Sequence, residues 1–173
     1  MAGKISATPE RGGLFILITL CVLAWAAPSP VVSAEAESGM SDNERIVREF
    51  IAAWSNLDPA ELATYFAVDG TYHNIPSGPV TGRDNVQAMI AGFIRPWQST
   101  EWEIISLVAD GDRVMVERLD KTVVASQPVN LPCVGVFEME NGQIKVWRDY
   151  FDLNTYLEQL NQALGQAGNN PTN

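Results

Sequence analysis

Arg118 and Asp120 stand two residues apart in the run Arg113-Val114-Met115-Val116-Glu117-Arg118-Leu119-Asp120. Side chains alternate along a strand, so both fall on the face that begins with Val114 and Val116, while Met115, Glu117 and Leu119 take the other. A guanidinium and a carboxylate on an apolar face are costly to desolvate unless paired and hydrogen-bonded. The arrangement is therefore either a structural ion pair or part of an acid–base site. A second run, Ile144-Lys145-Val146-Trp147-Arg148-Asp149-Tyr150-Phe151, places Trp147, Asp149 and Phe151 on one side. It supplies a second carboxylate in an aromatic setting. In a third, shorter run, Thr71-Tyr72-His73-Asn74-Ile75, Tyr72 and Asn74 share a face and His73 takes the other.

Around these groups Leu131 and Cys133 read as apolar lining on the inward face of a further strand, and Thr122, Phe151 and Tyr156 as substrate contacts. Each residue also has a structural reading: Arg118 and Asp120 as a strand-bridging ion pair, and Asp149 as the cross-strand partner of a base. Tyr72 and Trp147 would then be core aromatics, and Asn74 the cap of the turn at Pro76. His73, the one histidine, points away from Tyr72 and Asn74 and suits a surface or an interface. No second His or Cys lies at metal-ligand spacing, and neither a glycine-rich phosphate loop nor a nucleophile elbow is present. No cofactor is expected.

The elements that must position these residues follow from periodicity. Ser41 with Glu44 three residues on has the form of a capping box, and Ile46, Val47, Phe50, Ile51 and Trp54 recur at helical spacing, so residues 42–55 form an amphipathic helix. Asp58-Pro59 opens a second, short helix that runs to about Val68-Asp69-Gly70. A strand at 71–75 gives way to a loop broken by Pro76, Gly78, Pro79 and Gly82, and a third helix spans 83–94. Strands then cover 100–109, 113–123, 128–139 and 143–151, with Asp110-Gly111 and Asn141-Gly142 as hairpin turns. Leu153, Tyr156, Leu157, Leu160 and Leu164 mark a closing helix, and 165–173 reads as a disordered tail. Helices followed by hairpin-linked strands imply an α+β fold, with a curved, mixed but mostly antiparallel sheet wrapped around the N-terminal helices to enclose a conical pocket.

The chain has 173 residues, enough for one domain, and 11 Lys and Arg against 21 Asp and Glu give a formal net charge of -10. That balance argues against nucleic acid or anionic lipid as the main partner. At the start, Lys4 and Arg11 precede an apolar run from Leu14 to Ala27, and Val32-Ser33-Ala34 offers a small-residue cleavage site. Residues 1–34 thus read as an export signal, with an uncleaved membrane anchor as the alternative, and 35–41 as a linker to a domain at 42–164. Leu20 before Cys21 argues against lipidation, and Cys133 is left without a disulfide partner.

Four segments together carry a resemblance: Thr71-Tyr72-His73-Asn74-Ile75-Pro76, Glu117-Arg118-Leu119-Asp120, Gly135-Val136-Phe137 and Trp147-Arg148-Asp149-Tyr150-Phe151-Asp152-Leu153. In type, order and strand placement they resemble the limonene-1,2-epoxide hydrolases, over roughly Asp42 to Tyr156. That family uses a cone-shaped, NTF2-like (cystatin-like roll) fold shared with ketosteroid isomerase and scytalone dehydratase. The resemblance implies an acid–arginine–base triad on Asp120, Arg118 and Asp149, a water-holding pair on Tyr72 and Asn74, and Trp147 beside the base. It implies a cofactor-free hydrolase that adds water to a small apolar epoxide, terpenoid or alicyclic, and a homodimer. The rivals are a ketosteroid-isomerase-like or polyketide-cyclase-like enzyme and a non-catalytic module for apolar ligands on the same fold.

Overall fold

The computed structural model describes residues 40–168; the expected leader, most of the linker and the last five residues lie outside that span. Among the described residues no helix is long and apolar enough to cross a membrane.

The first helix, α1 (Asp42–Ala53), starts where Ser41 accepts a hydrogen bond from the Glu44 backbone N–H. The reciprocal half of the expected capping box is not made, because the Glu44 carboxylate takes two hydrogen bonds from Arg48 instead. α1 passes through a single 3-10 turn, Trp54–Asn56, and buries Val47, Phe50, Ile51 and Trp54. Asp58 caps α2 (Pro59–Thr64), its Oδ1 accepting from the N–H groups of Ala60 and Glu61, with Pro59 at the first helical position.

α2 is shorter than its sequence pattern suggests. From Phe66 the chain is already strand β1 (Phe66–Asn74), and the Ile144 N–H donates to the Tyr65 carbonyl. Burial of Phe66 and pairing with a distant strand override the local helical signal at Val68, Asp69 and Gly70. The loop that follows is not wholly irregular, since Val80–Thr81 pair with β1 as a two-residue strand, β2. α3 (Arg83–Phe93) buries Val86 and Ile90.

Four long strands complete the sheet: β3 (Trp97–Asp110), β4 (Arg113–Val124), β5 (Gln127–Glu140) and β6 (Gln143–Phe151). The spatial order is β2-β1-β6-β5-β4-β3, antiparallel throughout except that β1 runs parallel to β6. The sheet is thus mixed and mostly antiparallel, as expected. The first hairpin loop is Gly111–Asp112, one residue later than Asp110-Gly111, because Asp110 pairs with Arg113. Asn141-Gly142 closes the last hairpin with both residues at positive φ, 51° and 73°. That is the two-residue turn whose twist matches paired strands.

α4 (Leu153–Gly168) runs through residues 165–168, which the sequence assigns to the tail. Its inward contact near the end is Ala163 rather than Leu164, and Leu153, Leu157 and Leu164 are exposed. The core lies between the inner face of the sheet and α1. Phe50 is at its centre, meeting Trp54, Phe66, Phe137 and Trp147 edge to face with ring centroids 5.1–6.1 Å apart. Such contacts suit aromatic quadrupoles.

Candidate active site

Strand register lays out the site in rows across the inner face. Arg118 of β4 lies opposite Ile104 of β3 and Cys133 of β5, and Cys133 in turn lies opposite Phe151 of β6. One row along, Asp120 lies between Trp102 and Leu131. On the other side, Gly135 lies between Val116 and Asp149, and Asp149 lies beside Asn74 of β1. Trp147 follows, between Phe137 and Tyr72. Alternation in β4 holds along its length: Val114, Val116, Arg118, Asp120, Thr122 and Val124 are all buried.

Two bulges make the rows meet. In β6 the register slips at Lys145, so that Ile144 and Trp147, three residues apart, both face inward. In β3 it slips at Ile105, which is 59 % exposed. Without that extra residue, the strand whose Leu107 and Ala109 face inward would send Trp102 to the outside.

The rows place Arg118 between the two carboxylates. Its Nε and Nη2 donate to Asp120 Oδ1 and Oδ2 at 2.8 and 3.2 Å, and its Nη1 and Nη2 donate to Asp149 Oδ1 and Oδ2 at 3.0 and 2.7 Å. The guanidinium has no exposed surface, and its central carbon lies 4.4 Å from the centroid of the Trp102 ring. Burial alone would weaken its charge, yet Asp149 and Asp120 hold its pKa well above the ordinary arginine value. This fork-to-fork geometry is what arginine supplies and lysine does not.

The Asp120 carboxyl is pushed up to about 7 by burial, with Asp149 adding to the rise and Arg118 opposing it. Tyr72 donates to Asp149 Oδ2 at 3.4 Å, and its ring stacks on Trp147 with centroids 4.1 Å apart. Burial, then Asp149, raises the Tyr72 hydroxyl pKa well above the usual phenol value, which keeps it a donor. Asn74 is buried, and its Oδ1 has no hydrogen-bond partner in the protein. A buried acceptor left open beside a carboxylate is where an exchangeable polar ligand would find a partner. Burial likewise raises the Cys133 thiol, so it behaves as an apolar group and not as a nucleophile.

The structure therefore gathers Asp120, Arg118, Asp149, Tyr72 and Asn74 on one buried surface. Leu131 and Cys133 flank them, and Trp147 backs Tyr72. Phe151 and Tyr156 are half-buried, with ring centroids 6.4 Å apart, and Phe93 stands 6.1 Å from Tyr156. The Thr122 hydroxyl is tied to that of Thr100 at 2.9 Å. His73 faces outward, its Nε2 within 3.1 Å of the Ser77 carbonyl. Among the described residues no cluster of His, Cys, Asp or Glu could hold a metal ion. Thr100 and Trp102 also face this surface, although neither stands out in the sequence. Their alternation with Ile104 is a usable signal, but the slip at Ile105 hides which face they share.

Residues 41–162 match the limonene-1,2-epoxide hydrolase catalytic domain. The epoxide hydrolase EphG of Mycobacterium tuberculosis (strain ATCC 25618 / H37Rv) is 30 % identical over 121 residues, covering 68 % of this chain and 78 % of its own length. Among solved structures, an LEH-like epoxide hydrolase from M. tuberculosis is 27 % identical with a TM-score of 0.62, covering 72 % of this chain and 92 % of that one. An NTF2-like protein of unknown function from Burkholderia pseudomallei K96243 is 22 % identical with a TM-score of 0.64, covering 70 % and 98 %, and speaks to the fold alone. With the match spanning most of the chain and the relative sharing three residues in ten, the protein belongs to the limonene-1,2-epoxide hydrolase family.

Proposed function

We propose that this protein opens the epoxide ring of a small apolar substrate, terpenoid or alicyclic, with water, giving a vicinal diol in one step by acid–base catalysis on Asp120, Arg118 and Asp149. The observation that carries this reading is the single buried guanidinium that holds two carboxylates from different strands at 2.7–3.2 Å. Ring opening needs a proton for the departing oxygen and a base for the attacking water at the same time. Two acids on one cation in an apolar setting favour one neutral and one charged carboxyl, because a second negative charge there is costly.

In the proposed step Asp149 takes a proton from a water molecule oriented by Tyr72 and Asn74. The water oxygen bonds to a ring carbon, the carbon–oxygen bond breaks, and that oxygen takes the proton of Asp120. Asp149 ends protonated and Asp120 ionised, so one proton must return from the first to the second before the next cycle. Arg118 balances charge throughout. Leu131, Cys133, Phe151, Tyr156 and Thr122 provide the mostly apolar contacts, which discriminate weakly between hydrocarbons of similar size.

A single turnover on a cyclic epoxide in isotopically labelled water tests the chemistry. Label in the diol is the expected result. Diol oxygen that comes from the protein defeats direct attack, and inertness toward every epoxide of a panel, with apolar ligands still bound, favours a binding module.

We further propose that two copies pair through the outer face of the sheet. Val108, Met115, Val134 and Tyr150 are exposed there on four successive strands, with Val108 opposite Met115 and Val134 opposite Tyr150. Half-exposed Val136, opposite Met115 and two residues from Val134, links the two pairs, and an apolar stripe of this kind suits an isologous contact. Light scattering should give twice the chain mass, and Val134→Glu should halve it; a monomeric parent removes the idea.

A further inference from the structure

We infer that Gly135 is a positioning residue for the two acids and their arginine: the hydrogen bond between Arg118 and Asp149 occupies the space that any other residue would fill with its Cβ. A Cβ built on Gly135 would stand 2.7 Å from Arg118 Nη1, 3.2 Å from Asp149 Oδ1 and 3.0 Å from Phe137 Cε2. The first two atoms are the donor and acceptor of a bond 3.0 Å long. The bond thus runs across the bare Cα of β5.

Backbone conformation does not call for a glycine here. Gly82, Gly111 and Gly142 take positive φ, whereas Gly135 does not. It sits in mid-strand, where glycine weakens a sheet and survives chiefly because another group comes close.

A long side chain would ordinarily swing away from an added methyl group, but this one is held. Four hydrogen bonds fix the guanidinium, and Trp102 covers it at 4.4 Å. Phe137, the third contact, is stacked on Trp147 with centroids 5.5 Å apart and meets Phe50 at 6.0 Å. Nor can the backbone retreat, since Gly135 is paired with Val116 on one side and Asp149 on the other. An alanine must therefore push Nη1 off Asp149, leaving the proposed base held by one donor of the fork rather than two.

The inference rests on the acid–base reading for its effect on rate, but its geometry is measurable without turnover. Four proteins decide it: the parent, Gly135→Ala, Arg118→Lys and the double variant. Lysine has no Nη1, so the added methyl group loses its principal clash in that background. Gly135→Ala should lower kcat about 10²-fold, the scale expected of a misplacement near 1 Å, with KM moved less than about threefold. It should also lower the melting temperature when Arg118 is present and by clearly less when lysine replaces it.

Unchanged kcat in an active parent, or equal melting losses in both backgrounds, overturns the role. If Gly135→Ala alone does not fold, recovery of folding in the double variant supports it and failure there overturns it. A parent inert on all epoxides sinks the catalytic reading while the melting comparison still rules on Gly135.

Discussion

Trp102 lies beneath the Arg118 guanidinium, with the central carbon 4.4 Å from its ring centroid and directly opposite Asp120 in the strand register. One indole therefore touches the cation and helps dry the acid. Trp102→Leu should destabilise the fold by about 3 kcal/mol or more, the scale of a large-to-small core change. It should also move the alkaline limb of the activity profile to lower pH, because water admitted beside Asp120 relieves the burial that raises its carboxyl pKa. A profile that stays in place while stability falls would reduce Trp102 to packing.

The parent enzyme's own pH response follows from the same carboxyl. Asp120 is the proposed proton donor with its pKa pushed up to about 7, so kcat/KM should fall as pH climbs through that value. Stability must follow the same sign. The folded protein prefers the neutral carboxyl, so this contribution is complete below the unfolded value of ~4 and is lost as pH rises through about 7. Asp120→Asn should therefore lower turnover ~10²-fold or more and flatten the fall in melting temperature between about pH 4 and 8. A variant that still loses stability over that window would assign the titration to another group.

How much of this was legible beforehand differs by element. The face of β4 was readable because alternation there is unbroken from Val114 to Val124, and a period of two needs no partner to interpret. The helix at Asp58-Pro59 was readable at its start, where the cap is local. Its end carries no such local mark, because Phe66 is claimed by β6 from far along the chain. Trp102 was lost at the bulge of Ile105, which inverts the strand faces without leaving a glycine or proline behind. Gly135 was visible only as a letter in a matching segment, since its purpose is a contact between two other side chains.

Tyr72 separates support from chemistry. Its ring stacks on Trp147 while its hydroxyl reaches Asp149, so Tyr72→Phe keeps the first contact and removes the second. Stability should change by only about 1 kcal/mol, the ordinary net value of one hydrogen bond. kcat should fall by roughly 10- to 100-fold, the loss of about 1.4 to 2.7 kcal/mol from the barrier. Full activity in the phenylalanine variant would leave Tyr72 a core aromatic and remove it from the water-holding pair.

The hairpin between β4 and β5 offers a prediction about stability alone. Val124 pairs with Gln127, so the loop is Ala125–Ser126, and both residues sit at positive φ, 50° and 64°. Left-handed backbone costs an ordinary L-residue about 1–2 kcal/mol, and neither side chain is of the asparagine or glycine type that such a turn favours. The Ser126 N–H donates to Gln98 Oε1 at 2.6 Å, an anchor that a backbone donor retains whatever the side chain. Replacing the pair as Ala125→Asn with Ser126→Gly should therefore raise the melting temperature by roughly 3–6 °C, corresponding to ~1 kcal/mol. A thermal melt decides it. No rise would mean that the Gln98 anchor and the strand register already offset the strain, and Gln98→Ala in the parent would then unfold this hairpin first.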